Sequence, residues 1–222
     1  MSRRAVIFDV DGVLVDSYGA HYEAWKRVAT HLGLAMSERE FASMFGRRNR
    51  DIIRHHWGRH VPDDRVEEYG DWKEVQYREI LRANFPAMDG AAELLDALKG
   101  AGFLLAVGSS GPPENVRLSL EGLGRAALFD ATVTGADVRA GKPDPEVFLK
   151  ASAKLGVEPR FSAVVEDSTA GIEAAVRAGM AAIALVGTAT REALQKAGAD
   201  LVVASLRELT PDHISRLIDR AA

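Results

Sequence analysis

Four apolar residues in a row, Ala5-Val6-Ile7-Phe8, are followed at once by Asp9-Val10-Asp11-Gly12. A short, β-branched run of this kind reads as a strand buried on both faces, so two carboxylates fall at a strand's C-terminal end. From about Ser17 to Phe85 the period becomes helical: His21, Trp25, Val28 and Leu32 recur at i, i+4, i+7 and i+11. Further helices are predicted near 37–43, 48–57 and 64–83, with no strand between them. After Pro86-Ala87-Met88-Asp89-Gly90 the pattern alternates. A helix over 90–100 precedes a strand over 103–107, and a helix begins at Pro112-Pro113. Strand signal at 131–134 leads to a helix over 145–155. Then come a strand at 162–165, a helix at 169–178 closed by Gly179, a strand at 181–186, a further helix and a strand at 200–203. Strand–helix alternation predicts parallel βαβ units. The expected fold is α/β, a doubly wound parallel sheet formed by 1–14 and 88–222, with an all-helical domain over 15–87 inserted after the first strand.

Composition narrows the chemistry. The 222 residues contain no cysteine, which excludes disulfides, thiolate metal ligands and cysteine nucleophiles. A net charge of −4 gives no cationic field to recruit nucleic acid or anionic membrane. No apolar run approaches the roughly 20 residues of a spanning helix, and the opening Met1-Ser2-Arg3-Arg4 lacks a signal-peptide pattern. A cytoplasmic protein is expected, monomeric or a weak homodimer, acting on a small molecule through oxygen and nitrogen groups.

Functional groups of an open parallel sheet gather at the carboxyl ends of its strands. Four such ends carry unusual residues: Asp9 and Asp11, Ser109 and Ser110, Lys142, and Glu166 with Asp167. Four acids converging on one point repel one another and could not all stay ionised unaided. A hard dication with oxygen ligands removes that difficulty, and Mg²⁺ held by a few carboxylates and a substrate phosphate is the common solution. Lys142 adds a positive charge able to bind phosphate, and Ser109 can donate to a phosphate oxygen. The helix start at Ser110-Gly111-Pro112 is expected to add free N–H groups and the positive end of the helix dipole. Aspartate nucleophile, metal, lysine and hydroxyl together describe phosphoryl transfer. A calcium loop does not fit, because the EF-hand wants glycine at position six and glutamate at twelve, whereas glycine falls fourth from Asp9 and Ala20 twelfth.

In Asp9-Val10-Asp11-Gly12-Val13-Leu14-Val15-Asp16-Ser17, Val107-Gly108-Ser109-Ser110, Gly141-Lys142-Pro143-Asp144-Pro145 and Val165-Glu166-Asp167-Ser168-Thr169-Ala170-Gly171, the chain resembles the haloacid dehalogenase superfamily, in its phosphatase and β-phosphoglucomutase branch. The resemblance implies a Rossmann-like core with a helical cap directly after the first motif. It makes Asp9 the nucleophile and Asp11 the general acid/base. It assigns Mg²⁺ to Asp9, the Asp11 backbone carbonyl, Asp167 and Glu166, the last as a direct or indirect ligand. Ser109, Ser110 and Lys142 would hold the transferring phosphoryl group. The activity implied is hydrolysis of a small phosphorylated metabolite, a sugar phosphate, with β-phosphoglucomutase as the alternative. A non-catalytic module would have lost Asp9, Asp11 or Lys142, and none is lost.

The helical block says less. His21 and Trp25 resemble a His-x-x-x-Trp pairing in mutases and sugar phosphatases, although a histidine on an apolar stripe is equally a packed core residue. Arg47, Arg48, Arg50, Arg54 and Arg59 form a basic stretch with His55, His56 and His60. The default is a solvated face, and Arg47, Arg48 and Arg50 are the candidates for substrate selection. Where mutases show Lys-Gly-x-x-Arg, this chain has Phe45-Gly46-Arg47-Arg48-Asn49, which favours water as the phosphoryl acceptor. A Schiff-base lysine for phosphonate hydrolysis is also missing, since Lys26 and Lys73, the only lysines of the block, lie outside the expected loop. Asp16-Ser17 reads as a helix N-cap pair, while Gly171 is expected to allow close backbone approach and Gly179 to end a helix.

Overall fold

The run Ala5–Phe8 forms β1, a strand with all four residues buried. The structure is a computed structural model that describes residues 3–45 and 47–221. Met1 and Ser2 of the opening segment, Gly46 of the Phe45–Asn49 stretch and the last residue of the expected 88–222 segment lie outside the described residues. The chain divides into two compact units, Met1–Asp16 with Pro86–Ala222 and Ser17–Phe85.

The helical unit consists of α1 (Tyr18–His31), α2 (Glu38–Ala42), α3 (Asn49–Trp57) and α4 (Val66–Ala83). The other unit continues from β1 with α5 (Ala91–Gly100), β2 (Leu104–Gly108), α6 (Pro113–Gly122), β3 (Ala131–Val133) and α7 (Glu146–Leu155). It ends with β4 (Ser162–Glu166), α8 (Thr169–Arg177), β5 (Ala181–Leu185), α9 (Arg191–Lys196), β6 (Leu201–Val203) and α10 (Pro211–Ala221). No helix among the described residues is long and apolar enough to cross a membrane.

All six strands are parallel in the order β3-β2-β1-β4-β5-β6. Chain direction along the sheet reverses between β1 and β4, which opens a crevice beyond their carboxyl ends. β1, β4 and β5 are buried throughout, because helices cover both faces and leave no polar side for alternation. Core side chains include Ile7, Phe148, Val164 and Ile172. Fully burying a side chain of this size stabilises the fold by about 1.5–3 kcal/mol. Gly108 makes room for Phe148: a methyl group there would lie 2.9 Å from the phenyl Cδ1 and 3.1 Å from Ile7 Cγ2.

Three local features differ from the sequence reading. Ser17 stands at the N-cap of α1, yet its backbone is already helical (φ −86°, ψ −8°) and its side chain caps nothing. Capping needs an extended backbone that swings the oxygen onto the second or third amide; the Ser17 hydroxyl instead lies buried with no hydrogen-bond partner among the described residues. The start of α6 offers fewer amides than expected, since Pro112 and Pro113 have no N–H and Gly111 N–H donates to Ser109 Oγ at 3.0 Å. Finally, α10 is not among the predicted elements. Ile214 and Ile218 are its buried side chains, and one i,i+4 pair amid charged residues is too short a period to register.

The loop that carries Lys142 is tied down by Glu146, the first residue of α7. Its Oε2 accepts from the Arg139 and Ala140 amides at 2.8 and 3.2 Å, and its Oε1 pairs with Lys150 at 2.6 Å. Lys150 first, then the two amides, pull this carboxyl down from 4.5 to about 2. A carboxyl depressed by folding stabilises above its unfolded pKa and loses that contribution as pH falls toward the folded one. Glu146→Gln is therefore expected to lower the melting temperature at pH 7, with the deficit shrinking below pH 4.5. Parallel thermal melts of both proteins across that range provide the check; a deficit independent of pH would contradict the assignment.

Candidate active site

β1 lies between β2 and β4, so the residues just beyond these strands become neighbours. Asp9 N–H continues the β1–β4 ladder to Val165 O at 3.0 Å, and Ser109 N–H donates to Val133 O at 3.0 Å. Lys142 arrives from the loop after β3 on a cis Lys142–Pro143 peptide. Its ammonium donates to Asp9 Oδ1 at 2.8 Å and Glu166 Oε1 at 2.7 Å. It also lies 4.9 Å from the centre of the Phe148 ring.

Carboxylate oxygens of Asp9, Glu166 and Asp167 all fall within 4.8 Å of one another, and all three residues are buried. Burial above all, with Glu166 and Asp11 nearby, raises the Asp9 carboxyl to about 7 although Lys142 opposes the shift. Burial and the Glu166 and Asp9 charges push Asp167 well above the usual carboxylate range, with Thr188 and Lys142 acting the other way. Burial works against ionised Glu166 too, but Lys142 and Ser168 outweigh it and hold that carboxyl low. Lys142 is reciprocally held above the ordinary lysine value: burial alone would lower it, and the Asp9 and Glu166 carboxylates prevail.

Glu166 is saturated with donors. Oε2 accepts from the amides of Asp167 and Ser168 at 2.7 and 2.6 Å and from Ser168 Oγ at 2.9 Å, while Lys142 takes Oε1. Two glycines make the arrangement sterically possible. A methyl group on Gly171 would sit 1.9 Å from Glu166 Cδ, which fulfils the close approach expected there. Gly12 adopts φ +75°, and a methyl group on it would meet Asp167 Oδ2 at 2.0 Å. Gly179 follows α8 with φ +70°, as a terminating glycine should.

Asp9, Lys142, Glu166 and Asp167 are thus one cluster. Ser109 is buried beside them at the end of β2, with its Oγ accepting from Gly111. Asp11 is partly buried, and Ser110 is exposed at the strand end. Hard carboxylate oxygens grouped in this way could hold a divalent cation.

The helical unit holds a second polar cluster that sequence reasoning missed. Lys73 Nζ lies 2.7 Å from His21 Nδ1 and donates to Glu74 Oε1 at 2.9 Å. Asn49 Nδ2 donates to the same Glu74 oxygen at 2.7 Å. The His21 ring stacks on Tyr77, with centroids 4.0 Å apart. The signal was present in α4, where Lys73 occupies a buried stripe with Val66, Gly70, Tyr77 and Leu81; a cation in that register needs a partner. Trp25 packs in this unit's core, 5.6 Å from Trp57. Arg47, Arg48 and Arg50 are exposed, the last 3.9 Å from Glu67.

Removing one member of a buried ion pair leaves uncompensated charge and costs about 3–5 kcal/mol. Lys142→Met is expected to destabilise the metal-free protein by about that amount. Urea denaturation in the presence of a chelator measures it, and an unchanged midpoint would remove Lys142 from its bridging role.

Residues 6–185 match the model of the haloacid dehalogenase-like hydrolases. Validoxylamine A 7'-phosphate phosphatase of Streptomyces hygroscopicus subsp. limoneus is 34% identical over 217 residues, covering 95% of this chain and 98% of that protein. The β-phosphoglucomutase of Bacillus subtilis is 33% identical over 215 residues, covering 93% and 92%. Among solved structures, a HAD hydrolase of family IA, variant 3, from Entamoeba histolytica superposes with a TM-score of 0.87 at 31% identity, over 97% of this chain and 99% of that one. With four-fifths of its length inside the family model and its strand-end carboxylates in place, this chain belongs to the haloacid dehalogenase-like hydrolases.

Proposed function

We propose that the protein is a Mg²⁺-dependent phosphatase of a small phosphorylated metabolite, a sugar phosphate, acting through an aspartyl-phosphate on Asp9. The observation that carries this reading is the bridging of Asp9 Oδ1 and Glu166 Oε1 by Lys142. It keeps a nucleophilic carboxylate buried beside a cation able to bind phosphoryl oxygens. An Asp9 oxygen attacks phosphorus, the ester P–O bond breaks, and Asp11 gives a proton to the leaving alcohol. Asp11 then takes a proton from water as that water attacks the acyl phosphate, and the Asp9 oxygen leaves. One carboxyl can serve both steps when its pKa is tuned toward the working pH. Ser109 Oγ already accepts from Gly111 N–H, so its own proton is available to a phosphoryl oxygen. Bound Mg²⁺ would supply charge neutralisation for the carboxylates and the phosphoryl oxygens. Asp9 and Asp167 are the direct ligands in this reading. Glu166, with both oxygens engaged by protein donors, acts by holding Lys142 and the turn at Asp167 and Ser168.

The helical unit is the proposed cap, with His21 and Arg47, Arg48 and Arg50 as candidates for choosing among phosphorylated substrates. The kinship to a β-phosphoglucomutase keeps a phosphomutase as the second reading. Two residues of the Phe45–Asn49 stretch favour water as acceptor. Phe45 packs 5.1 Å from Tyr18 and 5.4 Å from Phe41. Asn49 is engaged by Glu74 and by Gly70 O at 3.3 Å. Neither offers the cation that a distal phosphate requires.

Phosphate release from a panel of sugar phosphates, with Mg²⁺ present or chelated, is expected to depend on the metal and to vanish in Asp9→Asn, whose amide cannot form the acyl phosphate. Full activity after exhaustive chelation, or a turning-over Asp9→Asn protein free of deamidation, would overturn the mechanism. Supplied with β-glucose 1-phosphate and a trace of glucose 1,6-bisphosphate, the enzyme is expected to release inorganic phosphate. Rapid glucose 6-phosphate formation with little free phosphate would establish the mutase instead.

A further inference from the structure

Asp167 is gripped from a fifth strand end that the four motifs do not include. Thr188, three residues beyond β5, places its Oγ1 against Asp167 Oδ2 as a hydrogen-bond donor. The loop that carries it is fastened on both sides. Val186 N–H donates to Val203 O at 2.9 Å, extending the ladder between β5 and β6 past the end of β5. On the other side, the Thr190 side chain caps α9 by accepting from Ala193 N–H. The same Asp167 oxygen faces Gly12, where a methyl group would come within 2.0 Å. Oδ2 therefore holds a hydrogen bond from the loop after β5 and lies close against the glycine turn after β1, a position that only the missing side chain of Gly12 allows.

We infer that Thr188 is a positioning residue of the cation site: its hydroxyl sets the plane of the Asp167 carboxylate so that this group and Asp9 can share one divalent ion. The inference rests on the proposed reading of Asp9 and Asp167 as ligands of a divalent ion. A carboxylate among like charges binds a cation well only if its lone pairs are already aimed, because turning it at the moment of binding costs rotational freedom and a hydrogen bond. Outer partners that orient metal ligands are worth about 10–100-fold in affinity. Thr188 is itself exposed, so exchange of its hydroxyl for a methyl group leaves the packed core untouched.

Mn²⁺ titration of chelator-treated protein, followed by electron paramagnetic resonance, tests this without recourse to turnover. Thr188→Val is expected to weaken Mn²⁺ binding by about 10–100-fold. Thr188→Ser, which keeps the donor, is expected to retain the parent affinity, and Asp167→Asn to lose the site. Parent-like binding by Thr188→Val alongside loss in Asp167→Asn would overturn the role of Thr188 while sparing the metal site. Equal weakening in the serine and valine variants would likewise overturn it, since the hydroxyl would then not be the operative group. Parent-like binding by Asp167→Asn would overturn the metal-site reading and this inference with it.

Discussion

Asp9, Glu166 and Asp167 are all withdrawn from water at the mouth of one parallel sheet, and Lys142 is the cation hydrogen-bonded among them. With all three ionised, the group would carry two net negative charges in a medium where each buried ion costs several kcal/mol of lost hydration. Much of the surrounding architecture answers to that constraint. Lys142 reaches Asp9 across 133 positions of sequence from a loop pinned by Glu146, with its ammonium over the Phe148 ring. The Phe148 ring has its room because position 108 has no side chain. Glu166 stays ionised because two amides, a hydroxyl and an ammonium surround it. Asp9 and Asp167 carry the remaining electrostatic stress as raised pKa values. A divalent cation bound there would relieve that stress directly, so the proposed chemistry and the stability of this corner of the fold draw on the same charges.

The alternation after residue 86 was legible because strands buried on both faces are continuous apolar runs bounded by polar turns. The site was legible for a related reason: acids, a lysine and serines at the ends of such runs have no role in packing the sheet. Other parts were hidden by physics that one-dimensional pattern does not encode. Ser17 looks like a cap in composition, but capping depends on a backbone angle. Thr188 is an ordinary polar residue in an ordinary loop; only the third dimension brings it to Asp167. Lys73 is the instructive case, since a lysine on the buried stripe of α4 is visible in the sequence whereas its partners are not. His21 reaches it from 52 positions away on α1, and only the packing of the two helices brings the pair together.

The order of the strands also bears on how the chain comes to be folded. β1 occupies an interior position of the sheet, yet its two partners lie about a hundred and about a hundred and sixty residues downstream: Ala5 pairs with Leu104 on one side and Ser162 on the other. As synthesis proceeds, Ala5–Phe8 emerges about a hundred residues ahead of β2, the first strand it can join, and about a hundred and sixty ahead of β4. The helical unit, made of contacts within Ser17–Phe85, can be complete long before then. Closing loops of this size is entropically slow, and an apolar strand waiting for distant partners is the segment most exposed to wrong ones. The brevity of β1 and the charge of Asp9 and Asp11 directly after it oppose such pairing, so carboxylates of the candidate site also bear on the fate of the nascent chain.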